Sequence, residues 1–150
     1  MEKLAELGIN KMDMISRERI FFASALIVLL TAGAVLRLWH LGEYGLWTDE
    51  LYHALAAKSL LAEGRPYIPI MGNYTRALPF TWLVALSFKM FGVSEFAARL
   101  PSALVGTSFV LVVFLLARKL FNTPIALLTA LMVTFSPLFI ELSRESRMYT

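Results

Sequence analysis

The 150-residue sequence contains no cysteine. That excludes disulfides, thiolate nucleophiles and Cys-type zinc sites, and it leaves the redox compartment open. Charge is scarce, at 17% of residues with a net charge of +3. No basic stripe is interleaved with aromatics, so nucleic acid is not an expected partner. Glycine-rich phosphate loops, HExxH and CxxC are absent as well, which removes the commonest nucleotide-binding and metallopeptidase signatures.

The excess is in apolar residues, 58% of the chain, and they are blocked rather than alternated with charge. Residues 20–36, 100–117 and 120–140 carry no charged side chain. About 20 apolar residues at ~1.5 Å rise cross the ~30 Å hydrocarbon core of a bilayer. The expected fold is therefore all-α: a polytopic transmembrane helical protein with three spans near 20–39, 100–117 and 123–140. In this reading residues 1–19 are a cytoplasmic lead with a short helix at most, and residues 20–150 form the N-terminal part of a transmembrane domain. The first span extends through Arg37, whose stem reaches up to the interface, with Trp39 and His40 beyond it. A signal peptide is the alternative, because Lys11, Arg17 and Arg19 precede the apolar run and Ala32-Gly33-Ala34 resembles a cleavage site. The run is long for that role and continues past the site, which favours a retained anchor. Three spans enclose a catalytic cavity poorly, so a fragment of a longer protein is expected.

The external loop, residues 41–99, is the informative part. A helix is expected from Thr48 or Asp49 as N-cap to Glu63, stopped by Gly64 and Pro66. Residues 66–75 read as irregular loop. The charge-free core of the following apolar segment, residues 77–88, is too short to span comfortably and is expected to lie at the interface. Counting Lys and Arg by the positive-inside rule does not decide between three and four spans. Pro101 is expected to open the second span from a first-turn position, and Thr123 and Pro124 the third.

Two groups of residues can carry chemistry. Asp49 and Glu50 sit at a helix start between Trp47 and Tyr52, where a carboxylate can act as general base or ligate a divalent cation. His53 can share their face. Equally, Asp49 can simply cap the helix while Glu50 complements its dipole. The second group follows the third span. Arg144 and Arg147, spaced i, i+3, can clasp a phosphate, while Glu141 and Glu145 can buffer them or ligate a metal. A solvated helix end with ion pairs is the alternative. Arg76 and Arg99 bracket the short apolar segment, and either can bind a lipid phosphate or anchor the helix among headgroups.

Three stretches in order resemble the polyprenyl-phosphate-sugar glycosyltransferases of the GT-C superfamily, which include protein O-mannosyltransferases, aminoarabinose transferases and the Rgt-type branch. They are Leu46-Trp47-Thr48-Asp49-Glu50-Leu51-Tyr52, Phe91-Gly92-Val93-Ser94-Glu95-Phe96-Ala97-Ala98-Arg99-Leu100-Pro101-Ser102-Ala103-Leu104, and Ser136-Pro137-Leu138-Phe139-Ile140 running into Ser143-Arg144-Glu145-Ser146-Arg147-Met148-Tyr149. The resemblance implies a membrane glycosyltransferase, a hexosyl- or pentosyltransferase. It would move a sugar from a polyprenyl-phosphate donor to a glycan, lipid or protein acceptor on the external, periplasmic or lumenal side. It implies Asp49 as base with Glu50 beside it, and Arg144, Arg147 and Arg76 as donor-phosphate contacts. His53, Glu145 and Tyr149 would support them. The family's Lys/His-Pro-Pro-like element is reduced here to Arg76 and Pro79 in Tyr74-Thr75-Arg76-Ala77-Leu78-Pro79. No cofactor is implied with certainty, a divalent cation being the candidate. A transporter or channel subunit is the competing class, but such proteins keep ionisable groups inside their spans; a non-catalytic membrane scaffold is another.

Overall fold

The computed structural model describes residues 11–147, six α-helices and one minimal hairpin. Helix α1 is Lys11–Leu38, α2 Thr48–Glu63, α3 Leu78–Phe91, α4 Glu95–Leu120, α5 Thr123–Phe135 and α6 Pro137–Arg144. Strands β1 (Tyr67–Ile68) and β2 (Gly72–Asn73) pair antiparallel inside the stretch expected to be irregular, with Tyr67 opposite Asn73. The all-α expectation holds. Helix α1 reaches back to Lys11, well into the lead that was expected to hold a short helix at most, and residues 1–10 of that lead lie outside the described residues.

Two helical segments, Ser16–Leu38 and Glu95–Leu120, are long and apolar enough to cross a membrane. The third expected span is broken. Helices α5 and α6 together pass the same length and composition test but bend by 57° at Ser136. Pro137 causes this: it has no N–H to offer the carbonyl of Val133, its ring collides with that carbonyl, and it holds Ser136 extended, at φ −66° and ψ 120°. With 14 residues, α3 spans only about 21 Å and cannot cross the hydrocarbon. Its Thr81, Val84, Ala85 and Phe88 are buried, whereas Trp82, Leu83, Leu86 and Met90 are exposed, giving an apolar outer face of the kind that lies in a membrane interface.

Local signals explain the helix ends. Gly64 stops α2 in the left-handed region at φ 73°, its N–H bonding the carbonyl of Leu60. The Asn122 side chain caps α5 by accepting from the N–H of Ile125. Two expectations are corrected. The N-cap of α2 is Trp47, one residue earlier than Thr48, because the Glu50 carboxylate reaches back to its N–H at 2.9 Å. Helix α4 begins at Glu95, capped by Ser94, so Pro101 lies inside the helix and does not open it.

Small residues let the helices approach closely. Ala54 and Ala57 of α2, Val84, Ala85 and Phe88 of α3, and Ala97 and Ala98 of α4 form one core. Leu29 of α1, Val110 and Phe114 of α4, and Ala126, Ala130 and Val133 of α5 form a second. The first packs α2 and α3 onto the start of α4, and thereby carries the site.

Candidate functional site

Consecutive helical residues point about 100° apart, so Asp49 and Glu50, at the start of α2, face different surroundings. Glu50 turns inward and is fully buried. Its Oε1 accepts from Arg99 Nε at 2.9 Å and from the Ser146 N–H at 2.6 Å; its Oε2 accepts from Arg99 Nη2 at 2.8 Å and from the Trp47 N–H at 2.9 Å. Those four donors fill the acceptor capacity of a carboxylate. Burial pushes the Glu50 carboxyl up, but the hydrogen bonds from Arg99, Ser146 and Trp47 and the Arg99 charge outweigh it and hold the group below its ordinary value. Arg99 also donates to the carbonyls of Leu41, Tyr44 and Gly45. One ion pair thus joins α2, α4, the turn after α1 and the segment after α6.

Asp49 turns outward. It borders a cleft of about 370 Å³ whose walls include His53 of α2, Tyr74 and Arg76 from the segment after the hairpin, and Arg147. Arg147 Nη1 lies 3.9 Å from Asp49 Oδ2, and its Nε is ion-paired with Glu145 Oε2 at 2.8 Å. His53 is buried behind the carboxylate, between the rings of Tyr74 and Phe80. Its Nε2 lies 3.4 Å from the Tyr74 hydroxyl and its Nδ1 3.5 Å from that of Thr81. Burial lowers the His53 pKa, partly opposed by the charge of Asp49, so the ring is neutral at pH 7. Burial raises the Tyr74 phenol, against the nearby charge of Arg76.

The structure therefore brings Asp49, His53, Arg76 and Arg147 to one cleft, with Glu145 bound to Arg147 from outside it. Arg144 is not in this cleft. It donates to the carbonyls of Leu36 and Trp39 at 2.9 and 2.7 Å, and to that of His40 at 3.4 Å, capping the end of α1. The reason is local: the helix stops at Arg144 and Glu145 is extended at φ −102° and ψ 142°, so the i, i+3 relation to Arg147 no longer sets a common face. Tyr149 lies outside the described residues. Among the described residues no three His, Cys, Asp or Glu side chains converge as a metal site. Tyr74 and Asn73 were not singled out from sequence; they join the cleft only because the hairpin folds back over α2, where Ile68 and Tyr74 pack on Ala56.

Chemically, the cleft offers one solvent-accessible carboxylate flanked by two guanidinium groups. That arrangement can accept a proton from a hydroxyl while holding an anion beside it.

Comparison with known proteins matches residues 75–148 to the family described as dolichyl-phosphate-mannose-protein mannosyltransferase. A protein of Aquifex aeolicus, named only as uncharacterized, is 33% identical over 123 residues, covering 79% of this chain and 25% of that protein. An undecaprenyl phosphate-alpha-4-amino-4-deoxy-L-arabinose arabinosyl transferase of Pseudomonas fluorescens is 33% identical over 104 residues, covering 67% of this chain and 19% of the relative. Its namesake in Pseudomonas aeruginosa is 30% identical over 101 residues, covering 65% and 18%. The chain thus spans a quarter or less of the length of these relatives. No solved structure matches it.

Proposed function

We propose that the chain belongs to the GT-C superfamily of membrane glycosyltransferases and that its cleft transfers a sugar from a polyprenyl-phosphate donor to an acceptor hydroxyl on the non-cytoplasmic side. The observation that carries this reading is Asp49: a solvent-accessible carboxylate in a cleft with Arg76 and Arg147, its Oδ2 3.9 Å from an Arg147 nitrogen. Asp49 takes the proton of the acceptor hydroxyl as the acceptor oxygen bonds to the anomeric carbon. The bond from that carbon to the phosphate oxygen breaks, its electron pair leaves with the phosphate, and Arg76 and Arg147 stabilise the charge that develops there. Attack opposite to departure inverts the anomeric centre. Glu50 serves by orientation, through Arg99 and the Ser146 N–H. The arabinosyl transferases that the chain resembles, named for an undecaprenyl phosphate-linked sugar, support an undecaprenyl-type donor.

The test is Asp49→Asn in the full-length protein with a purified undecaprenyl-phosphate-linked sugar. The amide keeps the shape but cannot take the proton, so turnover should fall by about 10²-fold or more, with expression and membrane insertion unchanged. Wild-type turnover in the Asn variant would refute the assignment.

A further inference from the structure

Arg37 lies in the last turn of α1, where its stem was expected to carry the charge up to the interface. It is instead completely buried. Its guanidinium touches three elements. Nη1 donates to the Gly33 carbonyl of its own helix at 3.1 Å, Nε to Ser143 Oγ of α6 at 3.1 Å, and Nη2 to the Val133 carbonyl of α5 at 3.4 Å. The acceptor on α5 is the informative one. In a continuous helix the carbonyl of Val133 would receive the N–H of residue 137, but residue 137 is proline and has none. Arg37 supplies a donor where the break leaves a carbonyl without its helical partner, inside an apolar bundle where an unmade hydrogen bond is costly.

The space around the guanidinium is cut to fit. A Cβ on Gly33 would fall 3.3 Å from Nη1. A Cβ on Gly106 of α4 would fall 3.3 Å from Nε and collide with Ser143 Cβ. The opposite contact completes a clasp: α1 sends Arg37 to α5 and α6, and α6 sends Arg144 back to the carbonyls of Leu36 and Trp39 on and just after α1. Two guanidinium groups pointing in opposite directions hold α6 at a set angle to α1. The chain leaving α6 then passes Ser146, pinned by Glu50, and enters the cleft as Arg147.

We propose that Arg37 is a positioning residue: by bridging the α5–α6 break it sets the direction of α6 and so the placement of Arg147 beside Asp49. Its kinetic consequence rests on the reading of the cleft given under Proposed function; its structural consequence does not.

Both are measured in the full-length protein in nanodiscs, with Arg37→Gln, Arg37→Lys and Ser143→Ala. Spin labels at Val35 of α1 and Leu138 of α6, both exposed, report the helix angle as a distance distribution. Arg37→Gln should shift or broaden it. Ser143→Ala, which removes only the α6 arm, should do so less and in the same direction, and it decides the matter if Arg37→Gln does not fold. Arg37→Lys keeps the charge but cannot reach three acceptors with one planar fork, so it should fall between. In the transfer assay, displacement of Arg147 should raise the KM for undecaprenyl-phosphate-linked sugar about tenfold, within the range of coupling through packed elements, with kcat within about threefold. A purely structural role would lower the active fraction, and so kcat, with KM unchanged. An unaltered distance distribution in the folded variants overturns the proposal whatever the activity, and so does an unaltered KM in a wild-type-active system. A shifted distribution with no transfer activity in the wild type would overturn the proposed function and leave the role of Arg37 in setting α6 standing.

Discussion

Glu50 and Arg99 lie 49 residues apart in sequence and meet through two parallel hydrogen bonds of 2.9 and 2.8 Å, both side chains nearly or completely shielded from solvent. Removing one partner of a buried ion pair leaves the other charge uncompensated, which costs about 3–5 kcal/mol. Arg99 would in addition withdraw donors from three loop carbonyls. Arg99→Met and Glu50→Gln should therefore lower the thermal stability of the protein in detergent and loosen residues 41–50, read as lost amide protection in hydrogen exchange. Asp49→Asn, at an exposed position, should leave both measurements unchanged. Equal stability across the three variants would remove the junction role assigned to the pair.

Arg147 and Arg144 should separate in donor dependence. Arg147 faces the cleft while Arg144 caps α1. Losing a hydrogen bond to a charged group is worth about 1.5–3 kcal/mol, so Arg147→Ala should raise the KM for the lipid-phosphate sugar about tenfold or more. Arg147→Lys should have a smaller effect, because a point charge does not reproduce a bidentate fork. Arg144→Ala should act first on stability. Steady-state kinetics beside thermal unfolding distinguish the two, and a larger KM effect for Arg144 than for Arg147 would reverse the assignment.

Acidification should weaken the packing around His53. Its folded pKa is depressed by burial, so the unfolded chain binds the proton more readily. The stabilising contribution is complete above the unfolded value of 6.5 and is lost as pH falls below it toward the folded value. Glu50, also depressed, adds a loss of the same sign at lower pH, beneath the ordinary carboxylate value. Thermal midpoints between pH 7.5 and 5.5 should fall more steeply for the wild type than for His53→Phe. Parallel curves would show that His53 does not titrate in the transition.

Topology follows from α4, whose 26 residues extend about 39 Å between Glu95, one turn before the Arg99 that pairs with Glu50, and Leu120. With no native cysteine in this chain, a cysteine at Glu43 should react with a membrane-impermeant maleimide in intact cells if the cleft is external. One at Lys119 should react only after permeabilisation. The reverse pattern would place the cleft on the cytoplasmic side.

The sequence by itself determined the membrane-helical class, because charge-free blocks of bilayer length admit no other backbone solution in lipid than a helix or a closed barrel. It determined the end of α2 at Gly64 and the start of α5 after Asn122 for the same kind of reason: a left-handed glycine and a side-chain cap act within a few residues. The acidic motif and the later arginines were also legible as candidates. Which of Asp49 and Glu50 would meet solvent was not, since neighbours on a helix differ only by direction, and direction acquires meaning when α4 brings Arg99 to one side. Nor could spacing reveal that Arg144 and Arg147 part company, because i, i+3 arithmetic presumes a helix that in fact stops at Arg144. Arg37 read as an interface residue by position alone; only the fold brought Val133 and Ser143, 96 and 106 residues away, against its guanidinium. Short-range geometry is written in periodicity and caps, whereas the partners of buried charges are chosen by the packing of helices distant in sequence. In this protein those partners decide which charged side chain faces the cleft and which holds the frame.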